Sequence, residues 1–173
     1  MNNVIGQPKG VIGEQTSEVT KTPFERLLEA RGISAEDAQA VAVDDEEALA
    51  RMGKRILSRG LRVEAQTAHS GAEGLAVMEG LHGKIACVVT DVNMGRMSGP
   101  EMVKQANARR LLDNVPVVVV TGELVRNAEE IDTVTAGGIA HEVLEKPFNP
   151  DQFVAAIQSA CQKVLDKMEA ETK

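Results

Sequence analysis

The sequence predicts an open, doubly wound parallel α/β domain of five strands, and three observations carry that prediction. Residues 85–90 form an unbroken apolar or β-branched run that stops at Asp91. The run lacks the alternation of a strand that is wet on one face, so it reads as a central strand buried on both. A second such run occupies 115–120, with Pro116 near its beginning, where a missing N–H is tolerable. Around these two runs, segments with helical spacing of apolar residues alternate with short strand-like segments along the chain. In sheets of this kind the ligand crevice lies outside the carboxyl ends of the strands, which is where Asp91 falls.

Length and composition bound the reading. A chain of 173 residues with 43% apolar content supports one ordinary domain with some extra length. A net charge of −7, no basic block, no Trp or Tyr and only three Phe argue against a nucleic-acid partner. No apolar stretch approaches the ~18 residues of a membrane span, and the start lacks the basic-then-apolar pattern of a secretion signal. A cytoplasmic protein without membrane contact is therefore expected. Cys87 and Cys161 have no metal-ligand spacing and read as small core residues.

The elements follow in order. Residues 1–21, rich in Gly, Asn, Gln, Thr and Ser, read as a flexible tail. Thr22-Pro23-Phe24-Glu25 has the form of a capping box with Pro at the first helical position, and Gly32 closes a short appended helix within residues 22–38. Ser34 offers a second possible helix start. The main domain, 39–169, then alternates. A first strand, read over 38–43, leads into a helix over 45–59 ended by Gly60, and a second strand follows over 61–67. A helix over 70–81, weakened by three glycines, precedes the central strand at 85–90, and another helix covers 100–111. The strand at 115–120 is followed by a helix over 123–135, a break at Gly137-Gly138, and a fifth strand over 140–145. Asn149-Pro150 starts the last helix, whose apolar positions 153, 154, 157, 161, 164, 165 and 168 give the cleanest amphipathic stripe in the chain.

The polar residues at the strand ends fall in one place. The first strand ends in Asp44-Asp45, the third in Asp91, the fourth in Thr121, and the fifth runs into Lys146-Pro147-Phe148. Three carboxylates brought together raise one another's pKa, which is tolerable mainly around a hard divalent cation such as Mg²⁺; Asp45 is expected to be its stronger ligand. A carboxylate beside Mg²⁺, with a hydroxyl and an ammonium at hand, is equipped to accept a phosphoryl group. Asp91 would attack while Thr121 and Lys146 neutralise the phosphoryl oxygens. Each residue also has a plainer reading: Asp45 as a helix cap, Thr121 and Asp91 as turn residues, Lys146 as a solvated lysine. Their coincidence at successive strand ends favours a shared site. His69, His82 and His141 show no ligand spacing and read as surface or packing residues.

This set of residues resembles the receiver domain of two-component response regulators, in its stand-alone, chemotaxis-regulator form, over roughly 39–168. The resemblance implies a flavodoxin-like sheet of order 2-1-3-4-5. It implies Mg²⁺ held by Asp44, Asp45, Asp91 and the backbone carbonyl of Asn93, phosphoryl oxygens held by Thr121 and Lys146, and a cis peptide between Lys146 and Pro147. A histidine kinase or phosphotransfer protein would be the donor. Output would be partner binding through the surface around 122–142 and the last helix, or service as a phosphate shuttle or sink. Such a protein is no enzyme in the ordinary sense, catalysing only transfer to its own Asp91 and its own dephosphorylation. Asn93, Gly122 and Glu123 would flank the path of the attacking water, which implies a short-lived phosphoryl group.

Three departures from the family pattern stand out. Gly95 replaces a usual Pro, Val143 replaces the aromatic residue that relays the switch, and the interval from Thr121 to Lys146 is longer than usual. The chain stops soon after the last helix, so a receiver without an output domain is expected. Two other readings remain open. One is a phosphohydrolase of the haloacid dehalogenase type, which expects a second Asp where Asn93 stands. The other is a receiver fold used as a binding module without phosphorylation.

Overall fold

The computed structural model describes residues 20–173. The tail expected over 1–21 lies almost wholly outside the described residues. Five parallel strands, β1 (Gln39–Val43), β2 (Glu64–Ala68), β3 (Ile85–Asp91), β4 (Val117–Thr121) and β5 (Glu142–Glu145), form one sheet in the order β2-β1-β3-β4-β5. This is the expected flavodoxin-like arrangement. Both β3 and β4 are buried along their whole length, because Val, Ile, Ala and Cys side chains can face apolar helices on either side of the sheet.

The helices are α1 (Pro23–Ala30), α2 (Glu47–Leu61), α3 (Gly71–Gly80), α4 (Gly99–Ala108), α5 (Ala128–Thr135) and α6 (Pro150–Glu171). One face of the sheet carries a core built with α1, α2 and α6, including Phe24, Leu57, Ala86, Val118, Phe153 and Ile157. The other carries a core built with α3, α4 and α5, including Leu75, Val88, Met102, Val119 and Ile131. Capping boxes with Pro in the first turn start α1 (Thr22 with Glu25), α4 (Ser98 with Glu101) and α6 (Asn149 with Gln152), so three helix starts are fixed by local chemistry. The helix α1 is no loose appendage. Phe24, Leu27 and Leu28 are buried, Phe24 N–H donates to Gln158 Oε1 at 2.9 Å, and the Arg31 guanidinium donates to the Ile85 carbonyl at 2.8 Å.

Several boundaries differ from those the sequence suggests, each for a packing reason. Gly60 does not end α2. A Cβ there would lie 2.6 Å from a Val154 methyl, so glycine serves the contact with α6, while Arg62 takes the left-handed turn at φ 57° that ends the helix. The second strand accordingly starts at Glu64 rather than 61. The helix expected from 123 starts only at Ala128, because residues 123–127 are tied to the end of β4. The fourth strand starts at Val117 and includes Thr121, and the fifth is shortened to Glu142–Glu145.

Candidate functional site

The strand ends assemble the site. Asp91 closes β3 and is 9% exposed; Asp44 follows β1 and is equally buried. Lys146, delivered by the end of β5, donates from Nζ to Asp91 Oδ1 at 2.7 Å and to Asp44 Oδ2 at 3.3 Å. The other oxygens are also engaged: Asn93 N–H donates to Asp91 Oδ2 at 2.8 Å and Glu46 N–H to Asp44 Oδ1 at 2.9 Å. The Lys146–Pro147 peptide is cis. Thr121, at the end of β4 and 1% exposed, lies one residue beyond the register partner of Asp91.

The acidic pair divides its labour in a way the sequence did not suggest. Asp44, not Asp45, is the carboxylate that faces Lys146 and the Asp91 side, while Asp45 is exposed. Asp45 does not cap α2 either, since that helix begins after Glu46 without a side-chain cap. Among the described residues no three carboxylate, histidine or cysteine side chains converge as a ready-made metal cage; Lys146 bridges Asp44 and Asp91, with Asp45 at the exposed side of the pair.

The electrostatics follow from that count. Burial pushes the Asp44 carboxyl above the usual carboxylate range, helped by the nearby Asp91 charge and opposed by the Glu46 N–H and Lys146. Burial works against the Lys146 charge, but its hydrogen bond to Asp91 and the charges of Asp91 and Asp44 outweigh burial and raise it above the ordinary lysine range. The two shifts point to one arrangement. Lys146 is matched to Asp91, its closer partner, and Asp44 is the surplus negative charge. A site with two inward carboxylates and a single ammonium fits Mg²⁺, which takes one or two carboxylates, keeps several waters and binds substrate phosphate.

The loop after Asp91 is shaped by backbone approach. Gly95 has φ +73°, a conformation closed to proline, so the departure from the family's usual residue here changes the path of the chain. A Cβ on Gly99 would lie 2.0 Å from the Asp91 carbonyl oxygen, so this start of α4 requires glycine. On the other side, Gly122 is exposed, Asn93 Nδ2 reaches Glu123 Oε2 at 3.4 Å, and Arg126 pairs with both Glu123 oxygens at 3.1 and 3.2 Å. Val143 packs half-buried against the core shared with Ile131 and Val134.

Three residues around the site escaped the sequence reading: Gly99, Arg126 and, above all, Asn127, which is 7% exposed and donates from Nδ2 to Thr121 Oγ1 at 2.9 Å. An Asn just before a run of helix formers was a signal for a helix start at 128, but nothing local pointed to Thr121.

Known proteins agree with this architecture. A family model described as the response regulator receiver domain matches residues 40–158. The chain is 30% identical over 110 residues to a chemotaxis protein CheY homolog of Campylobacter jejuni, covering 64% of this chain and 82% of that one. It is 29% identical over 117 residues to the hybrid signal transduction histidine kinase D of Dictyostelium discoideum, covering 68% of this chain but 7% of that protein. The chain thus spans nearly all of some relatives and a small part of others. Among solved structures, chemotaxis protein CheY4 of Vibrio cholerae superposes with a TM-score of 0.61 at 30% identity, covering 71% of this chain and 98% of that one. No helix among the described residues is long and apolar enough to cross a membrane. Fold, strand-end chemistry and these likenesses agree: the chain belongs to the response regulator receiver domain family, the CheY-like signalling modules of two-component systems.

Proposed function

We propose that Asp91 accepts a phosphoryl group from a histidine kinase or phosphotransfer protein, in the cytoplasm, and that the modified protein signals by binding a partner or passes the group on. The observation that carries this reading is the Lys146 ammonium held between Asp91 and the surplus carboxylate of Asp44, with Thr121 at the neighbouring strand end. An Asp91 oxygen attacks phosphorus, the bond from phosphorus to the donor breaks, and the donor leaves with the electron pair. Lys146 then shifts its hydrogen bonds from the carboxylates to the phosphoryl oxygens, and the Thr121 hydroxyl donates to another.

Mg²⁺, when bound, would neutralise charge on the transferring group, with Asp44, Asp91 and the Asn93 carbonyl as its ligands and Asp45 contributing from the exposed mouth. Reversal of the modification is hydrolysis: water attacks phosphorus, and phosphate leaves Asp91 as a free carboxylate. Asn93 and Glu123 flank that approach. Output is expected through the surface around 122–142 and α6.

Incubation with acetyl phosphate and Mg²⁺, followed by intact-mass measurement, tests the reading. The expected product carries one phosphoryl group per chain, lost completely in Asp91→Asn. Continuous turnover of unrelated phosphate esters would favour a phosphohydrolase, and absence of labelling would leave a binding module as the function.

A further inference from the structure

Asn127 is the N-cap residue of α5, yet its side chain makes no capping bond to that helix. It turns inward instead and spends an amide hydrogen on Thr121. An Asn at an N-cap ordinarily accepts from the backbone one turn on, so this one forgoes its usual role in favour of a single hydroxyl. Thr121 Oγ1 also accepts the Glu123 N–H at 3.0 Å. A hydroxyl has two lone pairs and one proton, and here both lone pairs are taken. The proton is then the only group Thr121 has left to offer.

We infer that Asn127 is a positioning residue for phosphoryl transfer: by occupying a lone pair of Thr121 it fixes the hydroxyl so that its proton is presented to the incoming phosphoryl group. The same bond links the reacting centre to the N-cap residue of α5. That gives site occupancy a route to the helix surface, in a chain where Val143 has no ring to move. When the Thr121 hydroxyl shifts to a phosphoryl oxygen, its bonds to Asn127 and Glu123 stretch together. The start of α5 must then follow or let go. The inference rests on the reading of Asp91 as phosphoacceptor.

The decisive variant is Asn127→Asp, nearly the same shape but able only to accept. A carboxylate there draws the Thr121 proton to itself and takes it from the phosphoryl group. A merely structural role, tying residues 123–127 to the end of β4, predicts that a change in melting temperature is the main effect and that the loading rate stays at the wild-type value. The positioning role predicts loading by acetyl phosphate slowed roughly tenfold in protein that is still folded, the loss of about one good hydrogen bond in the transition state. Asn127→Ala should slow loading to a smaller extent, because the hydroxyl is loosened rather than diverted.

Combining Asn127→Asp with Thr121→Ala completes the test. The double variant should load no more slowly than Thr121→Ala alone, since the two act through one hydroxyl. Loading of Asn127→Asp at the wild-type rate, or additive slowing in the double variant, overturns the inference and leaves the phosphoacceptor reading intact. Failure of wild type to be labelled at all, with no difference from Asp91→Asn, overturns both.

Discussion

At the amino-terminal edge of the sheet, two half-buried titratable groups each have a backbone partner. The Arg31 guanidinium is spent on the Ile85 carbonyl, and His141 Nδ1 accepts the Val117 N–H at 3.2 Å. Nearby, burial pushes the thiols of Cys87 and Cys161 upward, so both stay protonated and inert. At the carboxyl-terminal edge β1, β3 and β5 deliver two carboxylates to one ammonium and leave a charge over. Strand polarity alone does not produce the contrast. At the amino edge Arg31, just after α1, and Lys163 of α6 donate to backbone carbonyls, whereas the opposite edge carries the loops that follow β1, β3, β4 and β5. Arg31 is one cation facing a carbonyl dipole, whereas at the carboxyl edge two carboxylates share one ammonium, the kind of charge cluster that a bound cation would balance.

The largest effect that can test this contrast is an acid titration of the amino edge. Burial, then Lys167 and Lys163 on α6, push the His141 imidazole down to about 4, with Glu142 opposing them. The unfolded chain takes up the proton near the ordinary histidine value, so the unfolded state binds protons first. The stability that neutral His141 supports is complete above about 6.5 and is lost as the pH falls towards about 4, a loss on the order of 2–3 kcal/mol. His141→Asn keeps an acceptor for the Val117 N–H but cannot titrate. Melting temperatures of the two proteins should diverge between those limits, with wild type falling faster; parallel curves would mean that this edge is not settled by neutrality.

A smaller effect of opposite sign is expected at the carboxyl edge. Asp44→Asn keeps the oxygen that accepts the Glu46 N–H while removing the surplus charge. Without Mg²⁺ the variant should be more stable than wild type by about 1 kcal/mol, at the cost of function. Amide shifts of residues 44–46 and 91–95 are expected on Mg²⁺ titration of wild type and should vanish in the variant. A lower melting temperature would show that Asp44 and Lys146 form a balanced pair and that the contrast between the edges is false.

How far the sequence revealed this depends on where the information resides. The fold was legible because doubly buried strands are spelled in unbroken apolar runs, and the site was legible because its chemistry clusters where those runs stop. The phase of a doubly buried strand is not legible. With both faces apolar, nothing at 39–43 says which of Asp44 and Asp45 turns inward. Gly60 was ambiguous for a different reason: a glycine that ends a helix and one that admits a neighbouring helix look alike until Val154 is in place. The Asn127–Thr121 contact was hidden because it opposes local preference. A residue placed to cap instead donates to a hydroxyl six positions earlier, and α5 starts at Ala128, not 123.

The smallest expected effect concerns the exposed rim of the site, where the sequence implied an open water path. Arg126 holds both oxygens of Glu123, and the two side chains are 77% and 48% exposed. An exposed pair of this kind is worth about 0–1 kcal/mol. It therefore biases the availability of Glu123 to a water attacking the phosphorylated Asp91 without blocking it. Arg126→Ala should shorten the phosphoryl half-life roughly twofold to threefold, the kinetic equivalent of a fraction of a kcal/mol. Glu123→Lys should lengthen it. Because solvent-exposed pairs are screened, raising the salt concentration should speed the decay of wild type towards that of Arg126→Ala while leaving the variant nearly unchanged. Decay can be followed by intact mass after loading with acetyl phosphate and removing the donor. Equal half-lives at low salt, or equal acceleration of both proteins by salt, would show that Glu123 is not restrained and that Arg126 belongs to the solvated surface, not to the working edge.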